Sequence, residues 1–319
     1  MNKIAVVNPA SLIGQELRQE LERRGGMFGD FELFASDEDE VGTLTEKRGA
    51  AAVVQRCEPG DLDDFQLVFL CGKAASWRPL LETLPAELSV VVVSPEAGLS
   101  DGQPIVAGVN SRDAAGGGVL VSPHPAVVIL ARLLAPLTHL GLRIATATVL
   151  QPASIFGQEG LDELFEQTRA ILTFNQERPQ EIFGRQLAFN TYPAPGFSDL
   201  TETLAAVLAK PELRLSAQLL QGGIFHGVAA SVYVEVAPDP GAVALNRALE
   251  AGAQAAFTEP GDEPGPVEAA VAEEILAAEV RSAGRPGAYW LWAVMDNLTL
   301  GAARNAAETA EAVLGARVN

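Results

Sequence analysis

Thiols and imidazoles are scarce, with two cysteines and three histidines in 319 residues. Cys57 and Cys71 have no metal-ligand spacing, and one pair in so large a chain is no disulfide framework. Reduced thiols, a cytoplasmic location and no metal site are therefore expected. Cations are also few: Lys and Arg number 22 against 41 Asp and Glu, a formal charge of −19. Nucleic-acid affinity rests largely on cations that neutralise phosphates, so no nucleic-acid role is expected. No stretch reaches the ~20 apolar residues of a membrane span, and strand-like Lys3–Val7 begins without a basic leader. With 48% hydrophobic and 20% charged residues the chain is ordinary for a globular protein, and it is long enough for two domains.

What is present is regular alternation. Short apolar runs at Ile4–Val7, Phe31–Phe34, Leu67–Leu70 and Val90–Val93 alternate with amphipathic stretches at Ile13–Arg24 and Trp77–Leu84. Strands alternating with helices imply a mostly parallel sheet with crossover helices. Gly25-Gly26 is a natural stop for the first helix. A helix over Ala126–His139 opens a second region, followed by strands at Leu142–Leu150, Leu213–Leu219 and Ala230–Val236. In the last of these Val232, Val234 and Val236 alternate with Tyr233 and Glu235, the pattern of an antiparallel or mixed sheet with two unlike faces. Ala237–Gly241 reads as a turn, Thr258–Pro266 as an exposed loop and Ala303–Gly315 as an alanine-rich helix.

Several segments carry a family resemblance. The first strand runs into Asn8-Pro9-Ala10-Ser11-Leu12-Ile13-Gly14, and Gly118–Val121 leads to Ser122-Pro123-His124-Pro125. Further on come Gln151-Pro152-Ala153-Ser154 with Gly160-Leu161-Asp162-Glu163-Leu164, then Ala188-Phe189-Asn190-Thr191-Tyr192-Pro193 and Glu202-Thr203-Leu204-Ala205. Last are Gln221 to Val228 and Asp296-Asn297-Leu298 with Gly301-Ala302-Ala303 and Asn305. Spanning nearly the whole chain, these segments resemble the aspartate-β-semialdehyde dehydrogenases, and the chain is identified as a catalytically degenerate, Usg-type member of that family. The resemblance implies an α/β fold. A Rossmann-like NAD(P)-binding domain covers 1–124 with 296–319, and an α+β dimerisation domain with a large mixed or antiparallel sheet covers 125–295.

The family's reaction is a reversible, NADP-dependent reductive dephosphorylation of aspartyl phosphate through a thioester. It needs a sulfur nucleophile, an acid/base and a clamp for the substrate carboxylate. Pro125 stands where the Asn-Pro-x-Cys motif has its cysteine, and proline suits the first turn of a helix but has no nucleophile and no amide hydrogen. In the stretch resembling Arg-Val-Pro-Val-Phe-x-Gly-His, Gln221 replaces the arginine and Val228 the histidine. Glutamine cannot offer a charged fork, and valine cannot move a proton. The resemblance retains Gln151, which orients substrate in active relatives, and Glu202, while the lysine of Glu-Thr-x-Lys is Ala205. His124 reads as a capping or surface residue, and His226, two residues before Val228, would project from a strand.

The family's Gly-x-x-Gly-x-x-Gly turn keeps one glycine here, Gly14. Asn8 tolerates a left-handed conformation, and Ser11 sets a β-carbon where a phosphate would press. The cofactor-binding candidates are Asn8, Ser11, Leu12, Ile13, Gly14, Ser36 and Asn297. NAD or NADP is possible by family, weakened or absent, and Asp37, Glu38, Asp39 and Glu40 after Ser36 disfavour the NADP phosphate. The expected role is a structural or regulatory homodimer, or a pairing with an active paralogue. An NAD-dependent oxidoreductase on another substrate and a metabolite sensor are the alternatives.

Overall fold

Leu67–Cys71 and Ser89–Val93 are buried at every position, as strands covered on both faces must be. The computed structural model describes residues 3–58, 60–194 and 199–318. Its chain divides into two compact units, Met1–His124 with Ala302–Asn319, and Pro125–Gly301. The return to the first unit thus comes at Ala302, where the motif boundary had been placed at 296.

In the first unit the strands are β1 (Ile4–Val7), β2 (Phe31–Ala35), β3 (Leu44–Lys47), β4 (Ala50–Val53), β5 (Gln55–Arg56), β6 (Leu67–Cys71), β7 (Ser89–Val93), β8 (Gln103–Pro104) and β9 (Val119–Ser122). Among the described residues, seven of them form a sheet in the order β5-β2-β1-β6-β7-β9-β8, and every neighbouring pair is parallel. β3 and β4 make a separate hairpin. The order reverses at β1 and β6, so the loops that leave these two strands lie at a topological switch point, where open α/β sheets bind ligands.

The helix after β1, α1 (Leu12–Arg24), starts at Ser11, whose Oγ accepts from the Gly14 amide at 3.1 Å, and stops at Gly25 with φ 53°. Gly14 is needed for packing, because a Cβ there would sit 2.4 Å from the Asn8 carbonyl oxygen. α2 (Ala74–Leu81) begins before the expected Trp77. Its first turn, Ala74-Ala75-Ser76, carries no apolar periodicity, and the Ala74 amide donates to Glu96 Oε2 at 3.0 Å. The last helix, Asn305–Val318, is tied to α1 by Arg24, which reaches Glu308 at 3.1 Å and Glu311 at 2.7 Å.

The second unit opens with α3 (Pro125–Thr138), a helix almost wholly buried. Its strands are β10 (Leu142–Gln151), β11 (Thr191–Pro193), β12 (Arg214–Gly222), β13 (Val228–Val236), β14 (Ala255–Phe257), β15 (Ile275–Ala277), β16 (Arg281–Ser282) and β17 (Ala288–Met295), and its other helices are α4 (Gly157–Leu172), α5 (Leu200–Leu208), α6 (Ala242–Ala253) and α7 (Pro266–Ala269). The sheet order is β11-β12-β10-β13-β17-β15-β14, with β16 beside β17. β10 runs parallel to β12 but antiparallel to β13, so the sheet is mixed.

One face of this sheet, with Ala145, Ala147, Val149, Val232, Val234, Leu291 and Ala293, is buried, and α3 packs against β10 and β13. On the opposite face Thr146, Ser216, Gln218 and Trp290 are exposed, and Thr148, Ser231, Tyr233, Glu235 and Trp292 are partly so. Strand β17 and helix α6 were not expected. The run Ala288-Tyr289-Trp290-Leu291-Trp292 has no polar alternation, since Trp290 and Trp292 hold outward positions that a polar residue would normally mark.

Candidate functional site

Strand register brings three of the expected catalytic positions into one row of the second unit. Gln221 on β12 pairs with Gln151 on β10, and Val228 on β13 lies one step beyond the Leu150–Ala229 pair and opposite Met295 on β17. All four side chains are buried, and by alternation they face the same side as Val149 and Ala230, the side on which α3 packs. Pro125 begins α3 and reaches this row, for a Cβ placed on Gly301 would lie 2.9 Å from both Pro125 Cβ and Met295 Cε.

The chemistry of the row is neutral. Gln151 Nε2 donates to Gln221 Oε1 at 2.7 Å, and Gln221 Nε2 lies 3.4 Å from the carbonyl oxygens of Gln151 and Gly222. The two amides hold one another, and Gln151 Oε1 has no hydrogen-bond partner. Proline, valine and methionine complete the row, with no group that can attack a carbonyl carbon or move a proton.

The remaining candidates lie elsewhere. Glu202 is exposed in the first turn of α5. His226 is half-buried in the Gly223–Gly227 turn, so the expectation that it would project from a strand does not hold. His124 is buried at 1% exposure, which corrects its reading as a surface residue. Asn297, expected among the cofactor residues, belongs to the second unit, where its Nδ2 donates to Ser154 Oγ at 3.0 Å and its Oδ1 accepts from the Gly227 amide at 2.8 Å. That bond fixes the turn between Gln221 and Val228. Asn305 does similar work in the first unit, accepting from Ala107 N at 2.8 Å and donating to Ile105 O and Ser122 Oγ, both at 2.9 Å.

The other cofactor candidates cluster after β1. Asn8 has φ 59°, as its tolerance for the left-handed region suggested. Its Oδ1 accepts from the Ser36 and Asp37 amides at 2.9 and 3.2 Å, and its Nδ2 donates to Cys71 O at 3.0 Å and Ser36 Oγ at 3.1 Å. Asn8 thus binds together the ends of β1, β2 and β6. Ser11 Oγ is engaged by Asn8 O and Gly14 N, Leu12 and Ile13 open α1, and Gly14 packs under the turn. Asp37 Oδ2 accepts from Ser76 Oγ at 3.1 Å, Glu38 pairs with Arg56, and Glu40 Oε2 accepts from the Ala10 amide at 2.9 Å. Three of the four acids are therefore individually partnered, and the segment is not one uniform solvated run.

Neither thiol is poised to react. Cys71 is fully buried, and burial pushes its pKa far up. Burial, then Asp61 and Glu58, raises that of Cys57 to about 11. Among the described residues no cluster of His, Cys, Asp or Glu is placed to hold a metal ion, and no helix is long and apolar enough to cross a membrane.

Two groups of consequence escaped sequence reasoning. On α4, Glu163 accepts from the amides of Ile182 and Phe183, and Gln167 from those of Leu187 and Ala188, so one buried pair holds the whole segment before β11. Their i, i+4 spacing was the available signal. Glu40 was read only as part of an acidic run.

No protein-family model matches the chain. It is 30% identical over 335 residues to a USG-1 protein homolog of Azotobacter vinelandii, covering 98% of this chain and 97% of that one. It is 25% identical over 336 residues to the aspartate-semialdehyde dehydrogenase of Bacillus subtilis, covering 97% and 96%. The solved structure of a probable aspartate-semialdehyde dehydrogenase from Pseudomonas aeruginosa superposes with a TM-score of 0.88 at 27% identity, covering 97% of both chains. The parallel seven-stranded sheet, the mixed second sheet and this end-to-end similarity agree, and the chain belongs to the aspartate-semialdehyde dehydrogenase family, as a USG-1-like homologue.

Proposed function

We propose that this chain has lost aspartate-semialdehyde dehydrogenase activity and serves as a structural or regulatory dimer. The observation that carries the reading is the row Gln221, Gln151, Val228 and Met295 with Pro125 packed beside it. Where the family's reaction needs a thiolate, a base and a cationic clamp, these residues offer an imino acid, two apolar side chains and a pair of amides bonded to each other. Loss of one group changes a mechanism, but loss of groups that act as a unit leaves little beyond binding. Neither thiol in the sequence compensates, because burial holds both in the protonated form.

Homodimerisation is supported by the second sheet's open face, where Trp290 is 47% exposed beside Tyr233 and a partly exposed Trp292, among Thr, Ser, Gln and Glu235. Large aromatic side chains left uncovered on a flat sheet are typical of a protein–protein contact. Pairing with an active paralogue through the same face is the heteromeric form of this reading.

The test is direct. The purified protein is supplied with aspartate semialdehyde, phosphate and NAD+ or NADP+, and absorbance at the reduced-nicotinamide band is followed. No turnover above background is expected, and turnover at ordinary enzyme rates, ~1 per second or more, would end the reading. Sedimentation of the native chain should give a dimer and that of Trp290→Glu a monomer; a native monomer at micromolar concentration removes the dimer from the proposal.

A further inference from the structure

A helix that begins at a topological switch point offers unpaired amides and the positive end of its dipole to an anion, and in dinucleotide-binding folds that anion is a pyrophosphate. In this chain the amides before α1 are already engaged. Glu40 Oε2 accepts from Ala10 N at 2.9 Å, and the Ser11 amide also faces the carboxylate. Glu40 reaches the turn from the segment after β2, and that segment is held at both ends. Asn8 takes the Ser36 and Asp37 amides, Ser76 holds Asp37, and beyond Glu40 the Gly42 amide donates to Val54 O at 2.9 Å while Thr43 Oγ1 donates to Glu40 O at 2.7 Å.

The opposite wall is also close. A Cβ on Gly72 would lie 3.6 Å from Ser11 Cβ, so the loop after β6 packs on the same turn. The residues present do not fit a dinucleotide phosphate: one of the turn's three glycine positions is kept, the kept one serves packing, and a carboxylate stands on the amides.

We propose that Glu40 is an internal anion that occupies the phosphate-binding end of α1 and shuts dinucleotides out of the first unit. The inference deepens the lost-dehydrogenase reading by assigning the loss of cofactor to a particular side chain. Glu40 satisfies the Ala10 amide and faces that of Ser11, so the turn keeps its shape with no ligand, and an approaching pyrophosphate meets a like charge in the position it would need. Half-burial and the proximity of Asp37 raise the Glu40 pKa, as a carboxylate shielded from water beside another acid requires.

The experiment is calorimetric titration of the full chain with NADPH, with NADH and with inorganic pyrophosphate, on the native protein and on Glu40→Ala, Glu40→Gln and Glu38→Ala. Native protein should give no binding of either nucleotide at millimolar concentration. Glu40→Ala and Glu40→Gln should each bind pyrophosphate about 10-fold more tightly than the native chain, the scale of one charge at a helix terminus. Glu38→Ala removes an equal charge from the exposed pair with Arg56 and should leave pyrophosphate affinity unchanged.

The proposal is overturned if the native chain binds NADPH or NADH with micromolar Kd, if neither Glu40 variant exceeds the native affinity for pyrophosphate, or if Glu38→Ala gains as much. Should Glu40→Ala not fold, Glu40→Gln and the native nucleotide titrations still decide. Nucleotide binding without turnover sinks this inference and leaves the proposed function standing, whereas turnover with either cofactor sinks both.

Discussion

Replacing Asn305 by alanine tests whether the closing motif of this family has a structural use independent of catalysis. The Asn305 side chain is wholly buried, accepts from the Ala107 amide, and donates to the Ile105 carbonyl and Ser122 Oγ. Truncation leaves the Ala107 amide and the Ile105 carbonyl without their partner, at about 1 to 3 kcal/mol for each buried orphan, while the Ser122 hydroxyl can turn elsewhere. A total of about 2 to 6 kcal/mol is expected, centred near ~4, a large part of the ~5 to 15 kcal/mol of a typical domain.

The three tryptophans make the assay local, because Trp77 is buried in the first unit while Trp290 and Trp292 lie in the second. In a Trp290→Phe, Trp292→Phe background, urea unfolding followed by fluorescence reports the first unit alone. For a urea slope of ~2 kcal/mol per molar, the Trp77 midpoint should fall by roughly 2 M. Asn305→Asp should fall nearly as far, since a carboxylate cannot donate to Ile105. A midpoint unchanged within about 0.3 M would refute the argument that this side chain closes the unit.

Three further outcomes are expected. Gly14→Ala should destabilise the first unit by about 1 to 3 kcal/mol, because the new Cβ meets backbone at Asn8 and Pro9, and an unchanged Trp77 midpoint would contradict that packing. At pH 7 a disulfide exchange reagent should modify Cys57 slowly and leave Cys71 untouched until unfolding, and a fast-reacting thiol in the native chain would show that an activated thiolate exists. Burial opposes ionisation of Asp101, but hydrogen bonds from Arg78 and the Gly98 amide outweigh it and hold its pKa below the usual 3.8. Its contribution is therefore present above pH 3.8 and lost as pH falls through the lower folded value. Because Arg78 is about half exposed, Asp101→Asn should cost ~1 kcal/mol or less at pH 7 and flatten the loss of stability below pH 4; an unaltered acid limb speaks against the pairing.

The architecture was legible wherever burial leaves a periodic trace. Fully buried β1, β6 and β7 read as continuous apolar runs, and β13 showed its two faces through Val232, Tyr233, Val234 and Glu235. β17 was not legible, because Trp290 and Trp292 occupy outward positions and erase the alternation. The Gln221 to Val228 segment shows the limit at a site. Sequence reading named both ends, but only the register through β10 places Gln221 beside Gln151 and both in line with Val228. Asn297 shows a related limit. A motif fixes spacing along the chain, whereas the amide's partners, Ser154 and Gly227, come from distant segments.

The substitutions at the two candidate sites share a physical logic. A buried arginine, cysteine or histidine that no longer meets a substrate would leave unpaired charge or polarity in a core, at a cost of several kcal/mol for a charge. Gln221 and Gln151 close a hydrogen bond between themselves, and Pro125, Val228 and Met295 need no partner at all. At the other site, amides that no longer meet a pyrophosphate would be left as unsatisfied donors, and Glu40 satisfies one of them directly while facing a second. The chain's own residues thus leave few unsatisfied groups at each site. A fold held in this way needs no ligand to complete it, as the proposed structural or regulatory role requires. The same logic predicts an asymmetry. Restoring Pro125→Cys, Gln221→Arg and Val228→His together should lower stability without returning activity, because the arginine would be buried without a paired carboxylate and, on the proposed reading, Glu40 would still block the turn after β1.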